Sequence, residues 1–179
     1  MSILKKQLGF TLMELMVAVS IMSLLTTFVV ANYSSNEKER NLRQEAGKVL
    51  WSIEQAQNMS LTGEVFGGFI PDSYEWQIKN CAIDSCTVLI IAKKADGSLP
   101  NNQKTVQTIV LKKVGLSIDN GGSNDGTLVA TFAPPRGKMQ LTDNQTTIKI
   151  NIFNEEDSNY CLEGNTISGR LGLSSGICE

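Results

Sequence analysis

Residues 10–31 read Phe-Thr-Leu-Met-Glu-Leu-Met-Val-Ala-Val-Ser-Ile-Met-Ser-Leu-Leu-Thr-Thr-Phe-Val-Val-Ala, an apolar run with a single charge, Glu14, and with neither Gly nor Pro. A helix rises about 1.5 Å per residue, so this run extends roughly 30 Å, the thickness of a bilayer core. Lys5 and Lys6 precede it without any acid, which predicts that this end stays cytoplasmic and that the chain after Asn32 is exported. A secretory signal peptide has a shorter apolar core ending in a small-residue cleavage site, whereas this run continues into helix-forming sequence. A plain anchor accounts for length and orientation but not for the carboxylate. At the centre of a membrane helix a charge costs about 2.5 kcal/mol or more, and less near its end, so an acid placed there asks for a function. If the chain is cut between Gly9 and Phe10, a new α-amine appears four residues ahead of Glu14. In a stack of similar helices that ammonium pairs with a neighbour's Glu14, and two charges that are costly alone neutralise each other. Glu14 then sets axial register.

Lys5-Lys6-Gln7-Leu8-Gly9 followed by Phe10-Thr11-Leu12-Met13-Glu14-Leu15-Met16-Val17 closely resembles the class III signal of type IV pilins and type II secretion pseudopilins. The resemblance implies that a prepilin peptidase and methyltransferase cuts after Gly9 and N-methylates Phe10, and that Glu14 guides assembly. It implies as partners other pilin or pseudopilin subunits and the inner-membrane assembly platform. The chain is then expected in the bacterial inner membrane as a single-pass protein, N-terminus cytoplasmic and C-terminal domain exported, and afterwards in the filament. Where many major pilins carry a proline, this chain has Ala31, so its stem lacks the weak point that a helix-interior proline creates. That departure points towards a minor or tip subunit.

From Asn36 to Ser60 the pattern is an amphipathic continuation of the helix. Leu42, Ala46, Val49, Leu50, Ile53, Ala56 and Met59 recur at spacings of three and four, and Glu39, Arg40, Arg43, Glu45, Lys48 and Glu54 fill the remaining surface. After Gly63 the pattern becomes short β-prone runs divided by turns. The expected strands are 65–70, 74–79, 87–92, 105–111, 116–118, 127–132, 146–153 and 166–171. The fold class read from this order is α+β: a long N-terminal helix, half transmembrane and half amphipathic, packed on a C-terminal antiparallel β-sheet domain of pilin-like form. The expected organisation is a leader peptide over residues 1–9, a transmembrane and filament-core helix over 10–31, its amphipathic continuation over 32–62, and a β-rich globular domain over 63–179. Gly63-Glu64-Val65-Phe66-Gly67-Gly68-Phe69, then Thr131-Phe132-Ala133-Pro134-Pro135-Arg136-Gly137, then Ile167-Ser168-Gly169-Arg170-Leu171 is similar to the GspH/FimT group of minor pilins and pseudopilins. In competence-linked FimT relatives a terminal Gly-Arg-x-Arg contributes to DNA binding. Here the matching residues are Gly169, Arg170, Leu171 and Gly172, without the second arginine, so Arg170 is carried as a possible DNA contact and a DNA-binding minor pilin as the alternative function.

Composition narrows the chemistry. The 179 residues carry a net charge of −2 and no histidine. A generic polyanion binder needs clustered Lys and Arg, while the lack of histidine removes every Ser-His or Cys-His pair and the commonest metal ligand. No P-loop, G-x-S-x-G or dinucleotide fingerprint is present. The chain is therefore expected to be no enzyme, with no cofactor, no metal and no small-molecule substrate. Cys81, Cys86, Cys161 and Cys178 all follow the apolar run and, in an exported segment, allow three disulfide connectivities. Cys81 with Cys86 and Cys161 with Cys178 are favoured because each closes a local loop; their spacings do not fit zinc patterns. Asp119 to Gly126 offers oxygen donors but not the calcium-loop pattern, and reads as a hairpin loop. Glu155-Glu156-Asp157 reads as a solvated turn.

Overall fold

A computed structural model describes residues 10–178 except 67, 80, 84–85, 95–102, 120–125, 136, 142–144 and 156–157, with residues 30–36 described by their backbone alone. The described residues form one helix, α1 (Leu12–Thr62), and nine strands: β1 (Ser73–Lys79), β2 (Cys86–Lys93), β3 (Gln103–Leu111), β4 (Gly115–Ile118), β5 (Thr127–Ala133), β6 (Lys138–Leu141), β7 (Thr147–Phe153), β8 (Asn159–Asn165) and β9 (Arg170–Ser175). This is the α+β class. Two compact units divide the chain, one ending at Glu39 and one beginning at Arg40, so α1 contributes to both.

In the first unit every described side chain from Phe10 to Val29 is exposed, including Leu12, Met16, Ile21 and Leu25. Segment Leu12–Val29 is long and apolar enough to cross a membrane.

The second unit has its own core. Leu42, Ala46, Val49, Ile53 and Ala56 of α1 are buried, and Leu50 and Met59 pack at the margin, which follows the three-and-four spacing of the apolar stripe. One expected surface charge behaves otherwise. Glu45 is buried; its carboxylate accepts from Lys48 Nζ at 2.6 Å and from the Lys112 backbone N–H at 3.4 Å, and this pairing is what makes a buried acid tolerable. α1 stops at Gly63, which takes the left-handed φ of 61°, while the Glu64 N–H returns to the Met59 carbonyl at 3.2 Å. That six-to-one bond is the Schellman closure, and glycine adopts its geometry without a Cβ penalty.

Both sheets are antiparallel throughout. One has the order β3-β2-β1-β5-β6 and the other β4-β7-β8-β9. Alternation puts one face of each strand inside: Ile148, Ile150 and Ile152 of β7 are fully buried, as are Val88 and Ile90 of β2. These residues join Leu42, Val49 and Ile53 of α1 in one cluster. Each such side chain contributes roughly 1.5–3 kcal/mol by leaving water.

Four strand expectations change. In place of the strand expected over 65–70, Phe66 and Phe69 bond to each other, Gly68 has a φ of 89°, and Gly67 lies outside the described residues. Residues 166–169 form a turn because the Asn165 side chain accepts from the Ile167 and Ser168 amides at 2.9 and 3.1 Å, and the strand starts only at Arg170. β6 and β8 were not expected. β6 has four residues, and β8 ends in Glu163-Gly164-Asn165, residues of low β-propensity, held between β7 and β9.

Candidate functional site

Helix α1 begins where its apolar run begins. The first backbone amides of a helix have no partner within it, and in a low-dielectric solvent each orphan is costly. Thr11 and Glu14 meet this need reciprocally. The Glu14 N–H donates to Thr11 Oγ1 at 3.2 Å, and Glu14 Oε2 accepts from the Thr11 N–H at 3.4 Å and from its hydroxyl at 3.5 Å. This is a capping box, with the carboxylate at the positive end of the helix dipole. Its signal, Thr-x-x-Glu ahead of an apolar run, stands in the sequence; reading Glu14 only as an intermolecular partner passed over Thr11.

Further along, Ser20, Ser23, Thr26 and Thr27 donate their hydroxyls to the carbonyls of Met16, Val19, Met22 and Ser23. The polar atoms of the apolar segment are thus satisfied along the helix itself. Phe10 is 85% exposed and precedes the cap; Gly9, the other side of the expected cleavage site, and the leader 1–9 lie outside the described residues.

The remaining candidates lie in the second unit. Cys81 and Cys86 are bonded with a Cα separation of 5.3 Å, and Cys161 and Cys178 with 5.0 Å. Cys81 also exchanges two backbone hydrogen bonds of 3.1 Å with Leu116 of β4, so the Cys81–Cys86 bond links β2 of one sheet to the edge of the other. The Cys178 N–H donates to Asn151 Oδ1 at 2.7 Å, which fixes the chain after β9 across β8 onto β7. Arg170 is exposed at the start of β9, opposite Asn165. The turn around Gly137 packs on α1: the Gly137 carbonyl accepts from Gln57 Nε2 at 3.5 Å, and Arg136 lies outside the described residues. In the Asp119 to Gly126 loop residues 120–125 are likewise outside them; the Asp119 N–H donates to the Lys149 carbonyl. Glu156 and Asp157 are also outside, and no group of three metal-binding side chains occurs among the described residues.

An apolar, capped helix of membrane-spanning length leading into an α+β fold fits a membrane-anchored pilin. Residues 4–30 match the prokaryotic N-terminal methylation motif. The match supports a type IV pilin-like or pseudopilin subunit, processed by prepilin peptidase and assembled with other pilins, and proteins of this type are structural. No curated protein and no solved structure matches the chain.

Proposed function

We propose that the chain is a minor pilin or pseudopilin of a type IV pilus or type II secretion pseudopilus, of the GspH/FimT kind. Residues 1–9 are removed between Gly9 and Phe10, Phe10 is N-methylated, and the subunit waits in the inner membrane with residues 63–179 exported. Residues 10–31 then join the filament core, continued by residues 32–62, in contact with the assembly platform. The observation that carries this reading is the methylation motif over residues 4–30, with Glu14 in the opening turn of the helix it covers. The cap adds a physical step: before assembly the carboxylate is held by its own Thr11, and afterwards the Phe10 amine of a neighbour is available to it.

Two substitutions separate capping from pairing. Glu14→Gln keeps a side-chain acceptor for the Thr11 amide but loses the charge, and Glu14→Ala loses both. Both variants should be processed to a Phe10 N-terminus and both should enter filaments poorly. Normal incorporation of Glu14→Gln overturns the pairing role. Gly9→Ala should impair cleavage, and N-terminal sequencing that finds a mature end elsewhere than Phe10 overturns the processing site.

A further inference from the structure

The start of α1 decides which peptide bonds lie outside the helix. Thr11 is the N-cap: its carbonyl accepts the first helical bond, from the Leu15 N–H at 3.2 Å, while its Oγ1 accepts from the Glu14 N–H. Phe10 and Thr11 are accordingly outside α1, which begins at Leu12. The composition upstream would not by itself stop a helix there. Residues 3–8 read Ile-Leu-Lys-Lys-Gln-Leu, mostly good helix formers without proline, and a single glycine, Gly9, weakens a helix without ending it. Ser2 would even supply an earlier cap.

A second, independent observation says which enzyme meets this stretch. Residues 4–30 match the N-terminal methylation motif, which supports processing by prepilin peptidase. In hydrolysis of the Gly9–Phe10 bond, a water oxygen bonds to the Gly9 carbonyl carbon and the C–N bond breaks. Both water protons leave on the Phe10 nitrogen as an ammonium, and the leader leaves as a carboxylate. The enzyme must therefore reach the Gly9 carbonyl and polarise it. If α1 started further back, through Gly9, the Met13 N–H would take that carbonyl in the i to i−4 pattern, and the bond to be cut would be wound into a turn.

We infer that Thr11 is a positioning residue for this cleavage: as N-cap it holds the helix start at Leu12 and keeps the Gly9–Phe10 bond ahead of the helix, open to the peptidase. The inference rests on the processing reading above and adds to it a residue on the far side of the cut. Phe10, exposed, lies between the bond and the cap. The group that Thr11 Oγ1 holds is the backbone N–H of Glu14, so this half of the box does not depend on the Glu14 side chain. Thr11 thus serves processing by a bond separate from the carboxylate, whose part is in assembly.

The test follows cleavage of the full chain by prepilin peptidase in vesicles, read by mass spectrometry of the released products. Thr11→Val keeps the shape of the side chain but removes the acceptor, and should lower kcat/KM about fivefold, the equilibrium weight of an N-cap. The loss should fall on KM, because a helix that runs back lowers the fraction of chains the enzyme can bind. Thr11→Asn supplies a different side chain that still caps, and should cleave within about twofold of the unsubstituted chain. Amide exchange at Phe10 and Thr11, measured without the enzyme, should slow in Thr11→Val and not in Thr11→Asn. Cleavage of Thr11→Val at the unsubstituted rate overturns the inference. So does equal slowing of Thr11→Val and Thr11→Asn, which would mean that the peptidase reads threonine itself, or slowed cleavage of Thr11→Val with unchanged amide exchange. An unsubstituted chain that is not cut between Gly9 and Phe10 overturns the processing reading and this inference with it.

Discussion

Ser52 and Ser60 are two buried serines on the same helix with opposite consequences. Ser52 Oγ accepts from Trp76 Nε1 at 2.8 Å and donates to the Val49 carbonyl at 2.6 Å, tying the largest buried side chain to α1. Ser52→Ala leaves a buried indole N–H without an acceptor and should cost about 1–3 kcal/mol in chemical denaturation. Ser60 Oγ has no hydrogen-bond partner among the described residues. Ser60→Ala removes an unsatisfied polar atom and should leave the denaturation midpoint unchanged or raise it. Tyr74 provides a pH signature. Its hydroxyl donates to the Glu64 carbonyl at 2.7 Å, and burial, then the charge of Glu64, raises its phenol above the ordinary 10.0. Above that pH the unfolded chain loses the proton first, so the native state binds more protons and stability falls as pH rises. Tyr74→Phe should cost about 0.5–1.5 kcal/mol at neutral pH and flatten the alkaline decline. An unchanged alkaline slope would assign that decline to other groups.

Among the elements, the β5–β6 turn shows how a local conformation and a packing contact coincide. Gly137 has a φ of 57°, and a Cβ there would lie 2.6 Å from Leu61 Cγ at the end of α1. Gly137→Ala must both adopt a left-handed backbone and displace Leu61, for a predicted loss of about 1–3 kcal/mol measured by thermal unfolding. The Cys161–Cys178 bond spans 17 residues and encloses the β8–β9 hairpin. Replacing both cysteines by serine should lower stability by roughly 2–4 kcal/mol and increase amide exchange in β9 before β7. The helix stripe was legible because seven apolar positions recur over several turns and none competes with another pattern. Tertiary pairing decided the rest. Thr166, Ile167 and Ser168 look β-prone, yet Asn165 turns them; β6 is too short to carry a period of its own, and the burial of Glu45 depends on a backbone amide that lies far away in the chain. At the candidate site the motif and the odd carboxylate were legible. Thr11 was missed because a cap is read from a pair of residues, and attention to the charge alone hides its partner.

At the scale of the whole molecule, all the buried residues of the described chain lie from Leu42 onwards. Removing residues 1–39 should therefore yield a soluble protein whose unfolding midpoint matches that of the full chain in detergent, and a large drop in the midpoint would mean that the first unit contributes to the core. The two units need different surroundings, and the hydroxyls of the first make one consequence clear. Ser20, Ser23, Thr26 and Thr27 bond to carbonyls of their own helix. Moving this segment from lipid into a bundle of similar helices then breaks no hydrogen bond at these four side chains. The segment can exchange one apolar solvent for another nearly isoenergetically in its hydroxyls, and the direction of transfer is left to close packing.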